Sequence, residues 1–141
     1  MHVSGSSAPL PLPSLCVDSP GFLLVIDASG CDPERLRSVE CLQGLFGETI
    51  AALGLHPMHE PLWQRFPHPG GITGFVVLSE SHLSIHTFPE TGYVALDLYC
   101  CKPRPDWDWS RVLARHLHAQ TVGVRRLERA AAQAVLAEGH R

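Results

Sequence analysis

Residues 72–100 contain three short apolar segments in quick succession, and this pattern constrains the fold more than any other. Segments 72–78, 83–87 and 92–100 have the lengths and the β-branched, aromatic and leucine content of β-strands. In the last segment the side chains alternate between two faces. One face carries Val94, Leu96, Leu98 and Cys100, and the other carries Tyr93, Ala95, Asp97, Tyr99 and Cys101. The apolar face predicts sheet core, and we expect the mixed face to line a site or an interface.

Two amphipathic helices and further strands flank these segments. Residues 21–27 predict a first strand, and an apolar repeat of three and four residues predicts a helix from Asp32, its N-cap, to about Gly54. Residues 55–66 carry two prolines, which favours a broken or edge strand. A second helix is expected over 106–120, a strand over 122–127 and a short helix over 129–138. This order predicts an α+β, two-layer sandwich, with helices on one face of a mainly antiparallel sheet.

Length and composition fit one soluble domain. The chain has 141 residues, of which 45% are hydrophobic and 18% charged, and a net charge of −3 gives no basic field for nucleic acid. No apolar run reaches the roughly 18–20 residues that cross a bilayer. Residues 1–20 are rich in Pro, Ser and Gly and predict a flexible tail ahead of a single domain over 21–141. The odd number of cysteines, 5, without a secretory signal indicates free thiols and a cytoplasmic location.

The most polar part of the strand region lies between residues 79 and 90, which hold three serines, two histidines and two glutamates. A solvated hairpin is the plainest explanation. A serine hydrolase is disfavoured because the chain has no Gly-x-Ser-x-Gly elbow. A zinc site built from His82 and His86 with Cys100 or Cys101 lacks a recognised ligand spacing.

The run ESHLSIHTFPETGYVALDLYCC, from Glu80 to Cys101, closely resembles the self-processing segment of prokaryotic S-adenosylmethionine decarboxylases. The upstream runs LLVIDASGCDPERL and GITGFVVLSE resemble that family's first strand and pre-cleavage strand. Together these matches cover residues 21–130. The resemblance implies a decarboxylase of small-molecule substrates that acts in polyamine synthesis.

The resemblance also implies that the chain cuts itself between Glu80 and Ser81. The Ser81 hydroxyl attacks the Glu80 carbonyl to give an ester, and β-elimination followed by hydrolysis leaves a covalent pyruvoyl group and ammonia. His86 would be the base for the elimination, and Cys101 would return a proton to the substrate. The pyruvoyl carbonyl would form a Schiff base with the substrate amine and accept its electrons, so that neither pyridoxal phosphate nor a metal is needed.

Further residues take roles by the same resemblance. Glu90 matches a glutamate that binds the nucleoside ribose hydroxyls, Phe66 matches an aromatic that stacks on adenine, and Thr73 stands in for a serine that assists processing. Cys100, on the apolar face, is expected to pack in the core. The family pattern implies a homodimer of αβ protomers with active sites near the protomer interface.

Two questions stay open at this stage. Phe88 and Thr91 replace aromatic residues of the family, and the loop before Thr73 is one residue longer, so the substrate is either S-adenosylmethionine or a basic amino acid, arginine or ornithine. A non-processed, non-catalytic relative is a further alternative. In addition, Ser81 and His86 are an odd number of residues apart, which directs them to opposite faces of a regular strand. A bulge or turn at the cleavage point would resolve this conflict, and cleavage also frees the new terminus to move.

Overall fold

The structure, a computed structural model, describes residues 21–129. In chain order the elements are β1 (Phe22–Ser29), α1 (Pro33–Leu36), α2 (Val39–Leu53), β2 (Leu62–Arg65), β3 (Ile72–Leu78), β4 (Ser81–Phe88), β5 (Tyr93–Cys100), α3 (Trp109–Leu117) and β6 (Thr121–Glu128). The six strands form one sheet in the order β2-β3-β4-β5-β1-β6, and every neighbouring pair is antiparallel. The predicted α+β class is confirmed.

One face of the sheet packs against the helices and forms the core. Alternate side chains of β3, β4, β5 and β1 are buried with the apolar side chains of the helices in a single cluster. The fully buried members include Ile26, Phe46, Leu83, Ile85, Leu96, Leu98, Leu113 and Leu117. We call the other side, which carries the intervening residues, the open face. Tyr93, Ala95, Asp97 and Tyr99 lie there and are partly exposed, as the alternation in the sequence predicts.

The first predicted helix is present but broken in two. Asp32 caps its start as predicted, and Gly54 ends it in the left-handed conformation that glycine tolerates best. The break comes at Ser38, whose backbone is extended and whose hydroxyl accepts a hydrogen bond from the Cys41 N–H. A serine in this position caps a new helix, so the continuous helix expected over 32–54 is wrong at this point.

The remaining boundaries follow the sequence with small shifts. The strand expected within 55–66 is β2, which lies at an edge of the sheet. The prolines precede this strand, so they remove no hydrogen bond between strands. The helix expected over 106–120 is shorter and begins after its cap, Asp108. Residues 1–20 and nearly all of the helix expected over 129–138 lie outside the described residues. Between residues 21 and 129 no helix is long and apolar enough to span a bilayer.

Gly74 in β3 is a position where packing requires glycine. A Cβ atom built there would lie 2.2 Å from the ring of Trp63, which itself packs on Phe46 with ring centroids 4.9 Å apart. We predict that Gly74→Ala lowers the free energy of unfolding by about 1–3 kcal/mol, because the indole must move out of its contact. Thermal or urea denaturation would measure this change.

The matched control is Gly47→Ala in α2, where an added Cβ meets nothing within 4 Å. Alanine is the better helix former, so this variant should be unchanged or more stable by up to about 1 kcal/mol. Equal destabilisation by both substitutions would contradict the assigned packing of Trp63.

Candidate active site

The predicted cleavage point lies at a hairpin turn. Residues 79 and 80 form the turn between β3 and β4, and Leu78 pairs directly with Ser81 across it. On its other side Ser81 pairs with Cys100, the last residue of β5. The peptide bond between Glu80 and Ser81 therefore joins the turn to the first residue of a central strand.

Polar groups surround this bond. The Cys101 thiol donates to the Glu80 main-chain carbonyl oxygen at 3.0 Å and lies 3.7 Å from the Glu80 carboxylate. The ammonium group of Lys102 ion-pairs with the same carboxylate, with Nζ 3.0 Å from Oε2. We call Glu80, Ser81, Cys101 and Lys102 the cleavage-end cluster. Its geometry places a hydrogen-bond donor on the carbonyl that a serine nucleophile would attack.

The neighbouring Cys100 belongs to the core instead. Its side chain is fully buried on the helix-covered face, as predicted. Burial raises the pKa of the Cys100 thiol, and hydrogen bonds with the side chains of Arg104 and Ser81 oppose the rise. The Ser81 side chain therefore lies on the helix-covered side of the sheet. Cys101 is the next residue after Cys100, and by alternation it belongs to the open face.

A second group of predicted residues meets at the other end of β4. Thr73 Oγ1 lies 3.0 Å from Nδ1 of His86, its direct partner across the β3–β4 pairing. A cavity of about 230 Å³ at this end is lined by Phe66, Thr73, His86 and Glu90, together with Phe88. We call these five residues the pocket-end group. Four of them are residues that the resemblance had assigned to processing or substrate binding.

The two groups lie far apart within one chain. Pairing on both sides of β4 is continuous from Ser81 to Phe88, so no bulge interrupts it. The turn at residues 79–80 precedes Ser81 and leaves the alternation unchanged. Ser81 and His86 are five residue steps apart along the strand, which separates them by about 16 Å and directs them to opposite faces. The expectation that a local bulge or turn unites them is therefore wrong.

The ligands considered for zinc are also separated. His82 lies on the open face, stacked between Phe75 and Tyr99 with ring centroids 5.8 Å and 5.9 Å away. Cys100 is on the opposite face. Within residues 21–129 no group of three or more His, Cys, Asp or Glu side chains is placed to hold a metal ion.

Comparison with known proteins shows the family of the chain. The family model described as S-adenosylmethionine decarboxylase matches residues 23–130. The chain belongs to this family. It is 35% identical over 112 residues to the S-adenosylmethionine decarboxylase proenzyme of Thermococcus gammatolerans, covering 75% of this chain and 77% of that protein. The corresponding proenzyme of Shouchella clausii is 35% identical over 114 residues, covering 80% and 87%.

A solved structure of the family shares the fold. The crystal structure of the adenosylmethionine decarboxylase from Aquifex aeolicus superposes with a TM-score of 0.63 at 27% identity, over 78% of this chain and 90% of that one. The relatives are named proenzymes, and a proenzyme matures by processing.

Sequence reasoning missed one member of the cleavage-end cluster. Lys102 follows Cys101 directly, yet no motif or periodicity marks it. The available signal was its rarity, since it is the single lysine of the chain. Its contact with Glu80 becomes visible only when the end of β5 is placed beside the turn at residues 79–80.

Proposed function

We propose that this protein is a pyruvoyl-dependent S-adenosylmethionine decarboxylase, which matures by cutting its own backbone between Glu80 and Ser81. Its product would be the aminopropyl donor for polyamine (spermidine) synthesis, made in the cytoplasm, where its thiols stay reduced. The observation that carries the proposal is the Cys101 thiol, 3.0 Å from the carbonyl oxygen of the bond to be cut.

Self-cleavage uses groups that the chain itself supplies. The Ser81 hydroxyl attacks the carbonyl carbon of Glu80, and the Cys101 S–H stabilises the charge that develops on the carbonyl oxygen. The C–N bond then breaks, the amine takes the proton that the hydroxyl lost, and an ester links the two residues. A base removes the α-proton of residue 81, Glu80 departs as a carboxylate, and hydrolysis of the resulting dehydroalanine yields the pyruvoyl group and ammonia.

The residues around position 81 fit the group that results. A pyruvoyl group supplies an electron sink for loss of carbon dioxide, as pyridoxal phosphate does in other enzymes. Cys101 would return a proton to the substrate α-carbon, and its sulfur lies 3.0 Å from the carbonyl oxygen of Glu80, the residue that precedes Ser81. An ordinary thiol, with a pKa of about 8.5, holds its proton near pH 7.

The elimination base must come from a second copy of the chain. Within one chain His86 is about 16 Å from Ser81 on the other face. The open face exposes large apolar side chains that a second sheet would cover, namely Leu62, Phe75, Val77 and Leu127. Two sheets that stack through their open faces can be related by a two-fold axis that lies between them and runs perpendicular to their strands. Rotation about this axis reverses the direction of β4. The cleavage-end cluster of one protomer then meets the pocket-end group of its partner.

The pocket-end group favours a nucleoside substrate over a free amino acid. Phe66 and Phe88 present exposed aromatic rings, the surface on which a purine stacks. The Glu90 carboxylate at the same cavity can accept hydrogen bonds from a ribose diol. The cation of a free arginine or ornithine can pair with Glu90, but neither amino acid carries the purine and ribose that would use the rings and the carboxylate together.

The purified protein should therefore release carbon dioxide from S-adenosylmethionine and appear as two fragments on denaturing gels. Ser81→Ala should remain one uncut chain and be inactive, because it has no nucleophile and no precursor of the pyruvoyl group. Intact-mass measurement checks the modification at residue 81.

Release of carbon dioxide from arginine or ornithine alone would exclude the nucleoside substrate. A wild-type chain that stays uncut on long incubation would instead support a non-catalytic relative.

The shared site predicts complementation between two inactive variants. Ser81→Ala lacks the nucleophile but keeps His86, and His86→Ala has the reverse defect. Mixed dimers formed by co-expression should contain one complete site out of two, so about a quarter of wild-type activity should return on random pairing. Separately expressed and unmixed variants are the control. Failure of the mixture to gain any activity, with mixed dimers shown to form, would place both residues in one protomer's site.

Glu90→Gln tests the ribose contact. Loss of a charge-assisted hydrogen bond should raise the KM for S-adenosylmethionine by about ten-fold or more, with a smaller effect on kcat. Glu60→Gln, another exposed carboxylate that lies outside this cavity, is the matched control and should leave KM unchanged. Equal KM values for wild type and Glu90→Gln would remove Glu90 from the substrate site.

A further inference from the structure

Lys102 is in contact with the residue whose carbonyl is attacked, yet nothing in the reaction described so far uses it. Its ammonium group lies 3.0 Å from Oε2 of Glu80, and the two side chains are 34% and 14% exposed. The Glu80 carboxylate is thus mostly shielded from water, which strengthens its interactions with neighbouring charges. Such a carboxylate needs a partner cation.

Arg104, another basic side chain near this end of β5, is committed elsewhere. Arg104 donates through Nη1 to the carbonyl oxygens of Leu53 and Gly54 at the end of α2. Among the ion pairs within residues 21–129, Lys102 is the cation that pairs with Glu80. Lys102 is therefore the counterion of the Glu80 carboxylate in the described part of the chain.

Negative charge develops beside this carboxylate during self-cleavage. When Ser81 Oγ bonds to the Glu80 carbonyl carbon, the carbonyl oxygen becomes an oxyanion within the same residue. An uncompensated carboxylate on that residue repels the oxyanion and competes for the Cys101 thiol, which lies 3.0 Å from the carbonyl oxygen and 3.7 Å from the carboxylate. A cation on the carboxylate weakens both effects.

We propose that Lys102 is a positioning residue for self-cleavage: by holding and neutralising the Glu80 carboxylate, it keeps the Cys101 thiol on the scissile carbonyl. The inference rests on the proposed function, since it concerns the same bond. Lys102 forms and breaks no covalent bond. In the step it assists, the Ser81 Oγ–carbon bond forms, the carbon–nitrogen bond breaks, and the hydroxyl proton ends on the released amine.

The test follows self-cleavage in full-length chains made by cell-free synthesis, using denaturing gels to time the conversion of one band into two. Lys102→Met should slow cleavage by about ten-fold, less than the hundred-fold or greater loss typical of deleting a direct oxyanion donor. Lys102→Arg keeps the charge and should restore most of the rate. Arg111→Met, which removes an exposed positive charge on α3, is the matched control and should cleave as wild type does.

Repeating the Lys102→Met substitution in a Glu80→Gln chain separates an effect through the carboxylate charge from a general structural effect. Glu80→Gln keeps the carbonyl and removes the carboxylate, so in that background Lys102→Met should change the rate by less than about two-fold. Folding is checked in uncleavable Ser81→Ala chains, where Lys102→Met should leave the melting temperature within about 2 °C.

The outcomes distinguish the two proposals. If wild type cleaves and Lys102→Met cleaves equally fast, the role of Lys102 is refuted and self-cleavage stands. If Lys102→Met slows cleavage by the same factor in the wild-type and in the Glu80→Gln backgrounds, the lysine does not act through the carboxylate, and the inference is again refuted. If the wild-type chain never cleaves, the proposed function fails first.

Discussion

The structure depends on the pairing of β4 with a neighbour on each side. Because β3 and β5 both bond to it, its alternation of faces runs without a break from Ser81 to Phe88. Leu83 and Ile85 are completely buried beneath the helices, and a slip of one residue would bring them to the open face and turn His82 and Ser84 inward. The register is therefore fixed by burial, and with it the face on which each chemical group must lie.

This constraint divides the chemistry between the two ends of one strand. The cleavage-end cluster holds the bond to be cut and a thiol, and the pocket-end group holds an imidazole, aromatic rings and a carboxylate. A rigid sheet cannot fold its two ends together, and the proposed stacking of two chains would bring the groups into contact. A small domain with an exposed apolar sheet face also gains a second layer of core from such stacking. Burial of the apolar open face and assembly of the proposed site would thus be achieved by the same arrangement of protomers.

Much of the fold follows from local sequence signals, whereas the site depends on relations across the sheet. Asp32 and Gly54 mark helix ends by their own chemistry, and alternation alone assigns Cys100 to the core. Ser38 was missed because it lies inside an unbroken apolar repeat, where a cap and an ordinary polar position look alike. The conflict between Ser81 and His86 was visible from their spacing. The proposed solution is that a second copy of the chain supplies His86. The periodicity of one strand carries no information about a contact between two chains.

The position of the proposed scissile bond also explains how a cut chain would keep its shape. Cleavage after residue 80 would place β1, β2 and β3 in one fragment and β4, β5 and β6 in the other. In the sheet these strands interleave, because β1 lies between β5 and β6 while β3 pairs with β4. The fragments therefore share three strand pairings and one core, and they cannot separate without unfolding the sheet. A break in the turn frees a chain end while leaving the strand ladders intact, whereas a break within β4 would interrupt pairings on both sides.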